Sequence, residues 1–134
     1  MSKIICIGFV LLLFLNCEGI CQKKRDQLKI TPDSIKVDSI EYKLIVLDPG
    51  FEAWLATKPP VNFYSKEYYE TRNRLYVTEW NYRYTHTIRF GELYDSRIEY
   101  YPNLDYGIDL NYRLYYYFRF FEETNHVKLI NQGH

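Results

Sequence analysis

Residues 105–121 read DYGIDLNYRLYYYFRFF and carry the clearest helical pattern in the chain. Asp105 belongs to the residue types that favour helix N-caps, so we expect a helix to begin there. Five side chains at helical spacing form its inner stripe: Leu110, Leu114, Tyr117, Phe118 and Phe121. Four more aromatic side chains occupy the opposite side: Tyr112, Tyr115, Tyr116 and Phe120. Because stripes at this spacing usually belong to a core, the segment predicts a helix within an aromatic-rich interior.

A second long helix is predicted after Ser65, which is a favourable N-cap residue. Glu67 and Glu70 would lie near the positive end of its dipole. Aromatic side chains then recur at steps of seven, four and four along one stripe: Tyr69, Tyr76, Trp80 and Tyr84. This spacing predicts that one face of the helix packs against the core.

Two short strands and one short helix are predicted from local patterns. Apolar and polar residues alternate from Ser39, and the run ends at the turn signal of residues 48–50. Residues 51–58 can form two helical turns before a pair of prolines, and residues 98–100 alternate as a second strand. The expected fold class is α+β, a small antiparallel two-stranded sheet packed by two long helices and one short helix.

The chain is interpreted as one domain with flanking segments. Residues 1–21 have the features of an export signal, in which Lys3 precedes an apolar run too short to span a bilayer. Residues 22–38 are polar and are predicted to be a flexible spacer. Residues 39–125 are expected to form the single globular domain, and residues 126–134 to fray. The protein is therefore expected in the periplasm or cell envelope.

Cysteine usage leaves the attachment to the membrane open. All three cysteines (Cys6, Cys17 and Cys21) lie within residues 1–21. Cleavage after Cys21 would leave a mature protein without a thiol, whereas cleavage before Cys17 would make that residue a lipid anchor. The residues before Cys17 match the bacterial lipoprotein pattern poorly, which favours release. A Cys17–Cys21 disulfide is a third alternative.

The balanced charge and the lack of metal-ligand and catalytic motifs argue against several functions. The chain has 17 basic and 17 acidic residues, whereas nucleic-acid binding depends on a basic surface. The histidines (His86, His126 and His134) are scattered without metal-ligand spacing, so neither a metal nor a cofactor is predicted. The sequence also lacks nucleophile elbows and phosphate-binding glycine loops. These absences favour a non-enzymatic function, although a site built from distant positions would leave no such motif.

The surplus of tyrosine supplies the first candidate binding residues. Aromatic residues make up 19% of the chain, and tyrosine suits surfaces that are partly apolar and partly wet. Tyr112, Tyr115 and Tyr116 are hypothesised to form an exposed aromatic platform. The simpler alternative is that each of these rings belongs to the core.

The helix after Ser65 supplies the other candidates: Asn73, Tyr76, Trp80 and Arg83. A polar amide within an aromatic stripe needs hydrogen-bond partners, either a ligand or an internal carbonyl. Arg83 lies four residues after Glu79, which also fits an ordinary ion pair on a solvated helix face. A structural role is therefore the alternative at both polar positions.

Three long segments resemble a known family in the same order along the chain. They are EYKLIVLDPGF (residues 41–51), FYSKEYYETRNRLYVTEWN (residues 63–81) and IEYYPNLDYGIDLNYRLYYYF (residues 98–118). The chain is similar here to a family of uncharacterised exported proteins of the Bacteroidetes, whose domain has no known function. The resemblance implies export, and it favours a lipid anchor at Cys17 because leaders in the family are often of the lipoprotein type. It implies no activity and no site residue.

The favoured hypothesis is a non-enzymatic cell-envelope protein that binds a partner protein through aromatic surface. A glycan-binding module is the alternative, and its mark would be an exposed row of rings flanked by Asp, Asn or Arg. A hydrolase is the third hypothesis, which requires two carboxylates that converge in a cleft. Six carboxylates lie among the aromatic segments: Asp48, Glu79, Asp95, Glu99, Asp105 and Asp109.

Overall fold

The computed structural model describes residues 28–36 and 39–131, so the predicted export signal and Cys17 lie outside the described residues. The elements follow in the order β1 Leu28–Lys36, β2 Ser39–Val46, α1 Phe51–Leu55, α2 Lys66–Thr85, α3 Thr87–Phe90 and α4 Gly107–Asn125. A single 3-10 turn, Val61–Phe63, precedes α2. The predicted α+β class is confirmed, with a two-stranded antiparallel sheet, two long helices and a buried aromatic core. In this part of the chain, every helix is too short or too polar to cross a membrane.

The first strand lies where the sequence pattern indicates a spacer, and this correction moves the sheet upstream. β1 pairs with β2 in a hairpin that aligns Leu28 with Val46 and Ile30 with Leu44. Leu28 and Leu44 are both buried. The register shifts between Pro32 and Ser34, because proline has no N–H for the ladder. That shift interrupts the alternation of apolar and polar residues by which a strand is recognised.

The predicted strand over residues 98–100 is wrong, although Ile98 and Tyr100 are buried. The side-chain amide of Asn81 binds both backbone groups of Ile98. Asn81 Oδ1 accepts from the Ile98 N–H at 2.9 Å, and Asn81 Nδ2 donates to the Ile98 carbonyl at 2.9 Å. The Trp80 indole N–H donates to the Ser96 carbonyl at 2.8 Å. Side chains of α2 therefore make bonds that a neighbouring strand would otherwise supply.

The aromatic stripes of the two long helices meet in the core, as their spacing predicts. Tyr76 of α2 stacks on Phe118 of α4 with ring centroids 4.8 Å apart, and Trp80 meets Phe121 at 4.6 Å. Ser65 is the N-cap of α2 as predicted, whereas the N-cap of α4 is Tyr106, one residue after the predicted Asp105. Ser65 Oγ accepts from the Tyr68 N–H at 3.2 Å, and Asp105 Oδ1 accepts from the Gly107 N–H at 2.9 Å. β2 and α1 pack against α4, so this helix lies at the centre of the fold.

A polar network lies within this aromatic core. Asn73 of α2 and Asn111 of α4 are completely buried. Asn73 Nδ2 donates to the backbone carbonyl of Asn111 at 2.9 Å and to its Oδ1 at 3.1 Å. The Tyr100 hydroxyl donates to the same Oδ1 at 2.8 Å, and Asn111 Nδ2 donates to the Gly107 carbonyl at 2.8 Å. The network joins both long helices and the segment that precedes α4.

The structure also corrects the expectation that the chain frays from residue 126. Leu129 is only 5% exposed, and its N–H donates to Glu122 Oε1 at 2.8 Å. Arg83 Nη2 donates to the Lys128 carbonyl at 2.8 Å. A position near the end of the chain therefore does not predict fraying here, because Arg83 of α2 and Glu122 of α4 bind the backbone of residues 128–129.

The substitution Asn111→Ala tests the buried network. It removes the acceptor of the Tyr100 hydroxyl, which burial keeps protonated by raising the pKa of Tyr100 to about 12. A buried hydroxyl without a partner is costly, so we expect the free energy of unfolding to fall by about 3 kcal/mol in urea denaturation. Asn103→Ala, in an exposed loop, is the matched control and should change stability little. Equal losses in the two variants would contradict the role of the network.

Candidate functional site

The three tyrosines proposed as an exposed platform lie against the core instead. Tyr115 and Tyr116 are each 6% exposed, and burial raises the pKa of Tyr116 to about 12. Tyr112 is half-buried, and its hydroxyl donates to the Pro59 carbonyl at 2.9 Å. A solvent-facing platform built from these rings is therefore wrong. The α1–α2 connection and aromatic residues of α2 occupy the side of α4 that was expected to face solvent.

The candidates on α2 are also placed inside the fold. Asn73 belongs to the buried network, and Tyr76 and Trp80 form the interface with α4. The Tyr76 hydroxyl donates to Glu122 Oε2 at 3.3 Å. Asn73, Tyr76 and Trp80 therefore have a structural role in the core, which is the alternative to ligand binding.

Arg83 joins three separate parts of the chain. Its Nε donates to Glu79 Oε1 at 2.6 Å, which confirms the predicted pair within α2. Its Nη1 donates to the Tyr94 hydroxyl at 2.8 Å, and its Nη2 reaches the carbonyl of Lys128. The guanidinium also lies 5.0 Å from the centroid of the Phe90 ring. Because these contacts engage every nitrogen of the guanidinium, Arg83 has a structural role: it holds the loop at Tyr94 and the backbone at Lys128 against α2.

One exposed aromatic surface lies at the start of α2. We call Phe63, Tyr64 and Tyr68 the aromatic ledge. Phe63 is 58% exposed and meets Tyr64 edge-on at 4.7 Å, while Tyr64 stacks on Tyr68 at 4.2 Å. Tyr115 supports the ledge from α4, with its ring 5.9 Å from that of Tyr68. Arg72 flanks the ledge, 5.7 Å from the Tyr68 ring.

Sequence reasoning missed the ledge because it followed the helical stripes. Phe63 and Tyr64 precede the Ser65 N-cap, in a 3-10 turn and extended backbone that do not follow the spacing of the α2 stripe. The available signal was the aromatic pair between Pro60 and the cap. Aromatic residues just outside a helix start are not obliged to join its buried face.

A cleft of about 280 Å³ forms a second candidate site at the end of β2. Asp48 and Glu92 line it together with Phe120, Phe121 and Asn125. Asp48 belongs to the predicted turn, in which Gly50 adopts φ +85°. The cleft therefore combines carboxylates from two loops with an aromatic wall from α4.

Among the carboxylates considered for a hydrolase, Asp48 and Asp95 lie close enough for their charges to interact. Burial raises the pKa of Asp48, and the charge of Asp95 raises it further, against the opposing effect of the Tyr117 hydroxyl. Burial also raises the pKa of Tyr117 far above its usual value, so this hydroxyl stays protonated. The remaining four carboxylates lie at separate places in the fold: Glu79, Glu99, Asp105 and Asp109.

Two polar atoms of residues that interact with Asp48 are buried without a hydrogen bond of normal geometry. One is Asp95 Oδ2, and the other is the hydroxyl of Tyr117, which faces Asp48. The other carboxylate oxygen of Asp95 accepts from Ser96 Oγ at 3.3 Å. Within residues 28–36 and 39–131, His, Cys, Asp and Glu side chains form no group of three that could hold a metal ion.

The substitution Asp48→Asn tests the electrostatics of the cleft. A native pKa above the unfolded value of about 3.9 means that Asp48 stabilises the fold when protonated and loses this contribution as the pH rises. At neutral pH the neutral amide also ends the repulsion from Asp95. We therefore expect the variant to be more stable than the wild type at neutral pH in urea denaturation. The difference should shrink towards the unfolded pKa.

Asp109→Asn, exposed in the first turn of α4, is the matched control for this titration. It should not reproduce the gain at neutral pH, because Asp109 lies near the positive end of a helix dipole. A loss of stability in Asp48→Asn at neutral pH would contradict the assignment of Asp48 as a destabilising carboxylate.

Comparison with known proteins identifies a family without assigning an activity. No curated protein and no solved structure matches the chain. A model described as a family of unknown function (DUF6146) matches residues 4–133. The predicted resemblance to a family without known activity is confirmed at this level. Because the match spans nearly the whole sequence, the protein belongs to the DUF6146 family of unknown function.

Proposed function

We propose that the protein is a non-enzymatic binding domain of the cell envelope whose partner is a protein that contacts the aromatic ledge. The single observation that carries the proposal is the exposure of Phe63 at the edge of the stacked pair Tyr64 and Tyr68. Aromatic and arginine side chains are enriched at protein interfaces and dominate their binding energies. The ledge offers both residue types on one surface.

The ledge is held in place before any partner arrives. The Phe63 N–H donates to the Pro60 carbonyl at 2.9 Å, and the two prolines before it restrict the backbone. Tyr64 and Tyr68 rest on Tyr115, which belongs to the core. A preformed surface loses little conformational entropy on binding, which favours affinity.

Arg72 gives the ledge a polar edge. Burial would raise the pKa of Tyr68, but hydrogen bonding to Arg72 and to Tyr115 lowers it overall. The phenolic oxygen of Tyr68 thus lies in the field of a guanidinium. A partner surface with an apolar centre and an acidic rim would complement the ledge.

The envelope part of the proposal rests on the sequence. Lys3 and the apolar run after it are typical of an export signal, and the three quoted segments resemble exported proteins of the Bacteroidetes. Release after cleavage and lipid attachment at Cys17 are the two forms in which the domain would reach its partner.

A glycan is the second candidate ligand for the same surface. The row of Phe63, Tyr64 and Tyr68 is flanked by Arg72, which is the arrangement that favours this alternative. Exposed rings stack on the apolar faces of sugars, and a guanidinium donates to their hydroxyls.

A photo-crosslinking amino acid in place of Phe63 tests the proposal in cells. It should capture a defined envelope protein, whereas the same probe at exposed Ile88 of α3 should not. With that partner purified, Phe63→Ala should weaken binding by about 30-fold, the loss expected of a hot-spot residue. Thermal unfolding should change little, because Phe63 lies at the surface.

The matched control is Ile88→Ala, which removes a fully exposed apolar side chain at another place and should leave binding unchanged. Equal capture from both positions, or unchanged affinity in Phe63→Ala, would contradict the proposal. Retention on a polysaccharide column that is lost in Phe63→Ala would replace the protein partner with a glycan.

A further inference from the structure

We infer that the partner of the aromatic ledge presents an acidic side chain, whose carboxylate binds Arg72 and Arg119 while an adjoining apolar side chain packs on the ledge. This inference rests on the proposed function, because it names the chemistry of the partner of the same surface. Arg72 belongs to α2 and Arg119 to α4, so the carboxylate would bind at the seam between the two long helices.

Helix geometry places both arginines next to one contact between α2 and α4. Arg72 lies one turn after Tyr68 on the same face of α2, and its guanidinium carbon is 5.7 Å from the centroid of the Tyr68 ring. Arg119 lies one turn after Tyr115 on the same face of α4. The rings of Tyr68 and Tyr115 meet at 5.9 Å. Each arginine therefore follows this ring contact by one helical turn.

A second contact shows that the two helices run in the same direction along this seam. Tyr76 lies four residues after Arg72, and Glu122 lies three residues after Arg119. The Tyr76 hydroxyl donates to Glu122 Oε2 at 3.3 Å. Arg72 and Arg119 therefore lie between two contacts that join α2 to α4. Both side chains are half-buried, so they reach solvent from one stretch of the seam.

The Tyr68 hydroxyl lies in the field of both guanidiniums. Burial would raise the pKa of Tyr68, but hydrogen bonds to Arg72 and Tyr115 lower it, and the charges of Arg72 and Arg119 lower it further. This direction agrees with the helix geometry, since nearby positive charges favour the ionised form of a phenol. Two positive charges from different helices therefore act on one point at the edge of the ledge.

The fold balances one of these two charges. Arg119 Nη1 is 3.6 Å from Glu122 Oε2, and the Glu122 side chain is only 10% exposed. Glu122 also accepts from the Tyr76 hydroxyl and from the Leu129 N–H, so its carboxylate belongs to the folded structure. Among the described residues, no carboxylate lies within ion-pair distance of Arg72. The charge of Arg72 is left for a ligand.

This balance favours a carboxylate ligand over a phosphate. Together with Glu122, the two guanidiniums have a net charge of +1, which a single carboxylate balances. A phosphate monoester carries about −1.5 to −2 at pH 7 and would exceed it. Glu123 serves another contact, because its Oε2 accepts from the Trp54 indole N–H at 3.2 Å. A guanidinium binds a carboxylate through parallel N–H donors, which makes strong and directional hydrogen bonds.

The spacing between ledge and arginines describes the partner segment. One turn of α2 separates Tyr68 from Arg72, which is about 6 Å along the helix axis. An extended peptide covers this distance in about two residues, and side chains two residues apart point to the same side of such a peptide. The partner segment would therefore carry an apolar and an acidic side chain two positions apart.

Short peptides with this spacing test the inference. A tripeptide of tryptophan, glycine and glutamate, capped at both ends, should shift the backbone amide NMR signals of residues 63–72 and 115–119. We expect a Kd of roughly 1 mM for so small a ligand. The same peptide with glutamine in place of glutamate keeps the shape and loses the charge, so it should bind about tenfold more weakly.

Arginine variants of the protein locate the carboxylate. The tenfold preference for the glutamate peptide should fall to about threefold in Arg72→Gln and in Arg119→Gln, and it should vanish when both are replaced. Arg74→Gln is the matched control, because Arg74 is exposed on the same helix and donates to Thr71 Oγ1 at 3.1 Å. It should keep the full preference.

The outcomes separate this inference from the proposed function. Phe63→Ala should weaken both peptides alike and keep the preference, because Phe63 would contact their apolar part. A missing preference, or one that survives in the double arginine variant, would overturn the inference and leave the ledge as a binding surface. Unchanged affinity for both peptides in Phe63→Ala would contradict the proposed function, and the inference would fall with it. Inorganic phosphate that binds these arginines more tightly than the glutamate peptide would overturn the inference in favour of a phosphate ligand.

Discussion

The fold depends on the buried contact between Asn73 and Asn111. These two amides are buried among aromatic rings, where unpaired polar groups are unfavourable. Asn73 Nδ2 and both polar atoms of the Asn111 side chain are hydrogen-bonded, whereas Asn73 Oδ1 has no partner among the described residues. Their hydrogen bonds can form only when α2 and α4 meet at one register, whereas the surrounding rings could pack in several ways. The amide pair therefore selects one arrangement of the two helices, whose aromatic interface alone would be nonspecific. Tyr100 joins the same network and fixes the segment before α4.

The position of the candidate surfaces follows from that arrangement. Once α2 and α4 are in register, the side of α4 that carries Tyr115 lies beneath Tyr64 and Tyr68, and the ledge gains its support. The same helix presents Phe120 and Phe121 to the acidic cleft. One helix thus supports an apolar surface near its first half and a charged cleft near its second. A binding domain needs such a rigid scaffold, because a surface ordered in advance loses less entropy on association.

Helical periodicity predicted the parts of this fold that depend on local pattern. Residue spacing predicted the stripes of α2 and α4 and the strand β2, and residue type predicted the Ser65 cap and the turn at Gly50. The remainder depends on contacts between distant residues. Asn81 holds Ile98 where a strand was predicted, and the irregularity after Pro32 conceals β1. The sequence also did not predict which aromatic side chains are exposed. Tyr116 is buried and Phe63 is exposed, and this difference depends on how distant segments pack. Likewise, only the folded chain brings Asp48 and Asp95 together.

A double-mutant cycle between Asn73 and Asn111 tests the central claim most directly. The free energies of unfolding of Asn73→Ala, Asn111→Ala and the double variant would be measured by urea denaturation. If the amide pair sets the register of the helices, the summed losses of the single variants should differ from the loss of the double variant by about 1–3 kcal/mol. Losses that add to within about 0.5 kcal/mol would show that the two residues act independently and would contradict the claim.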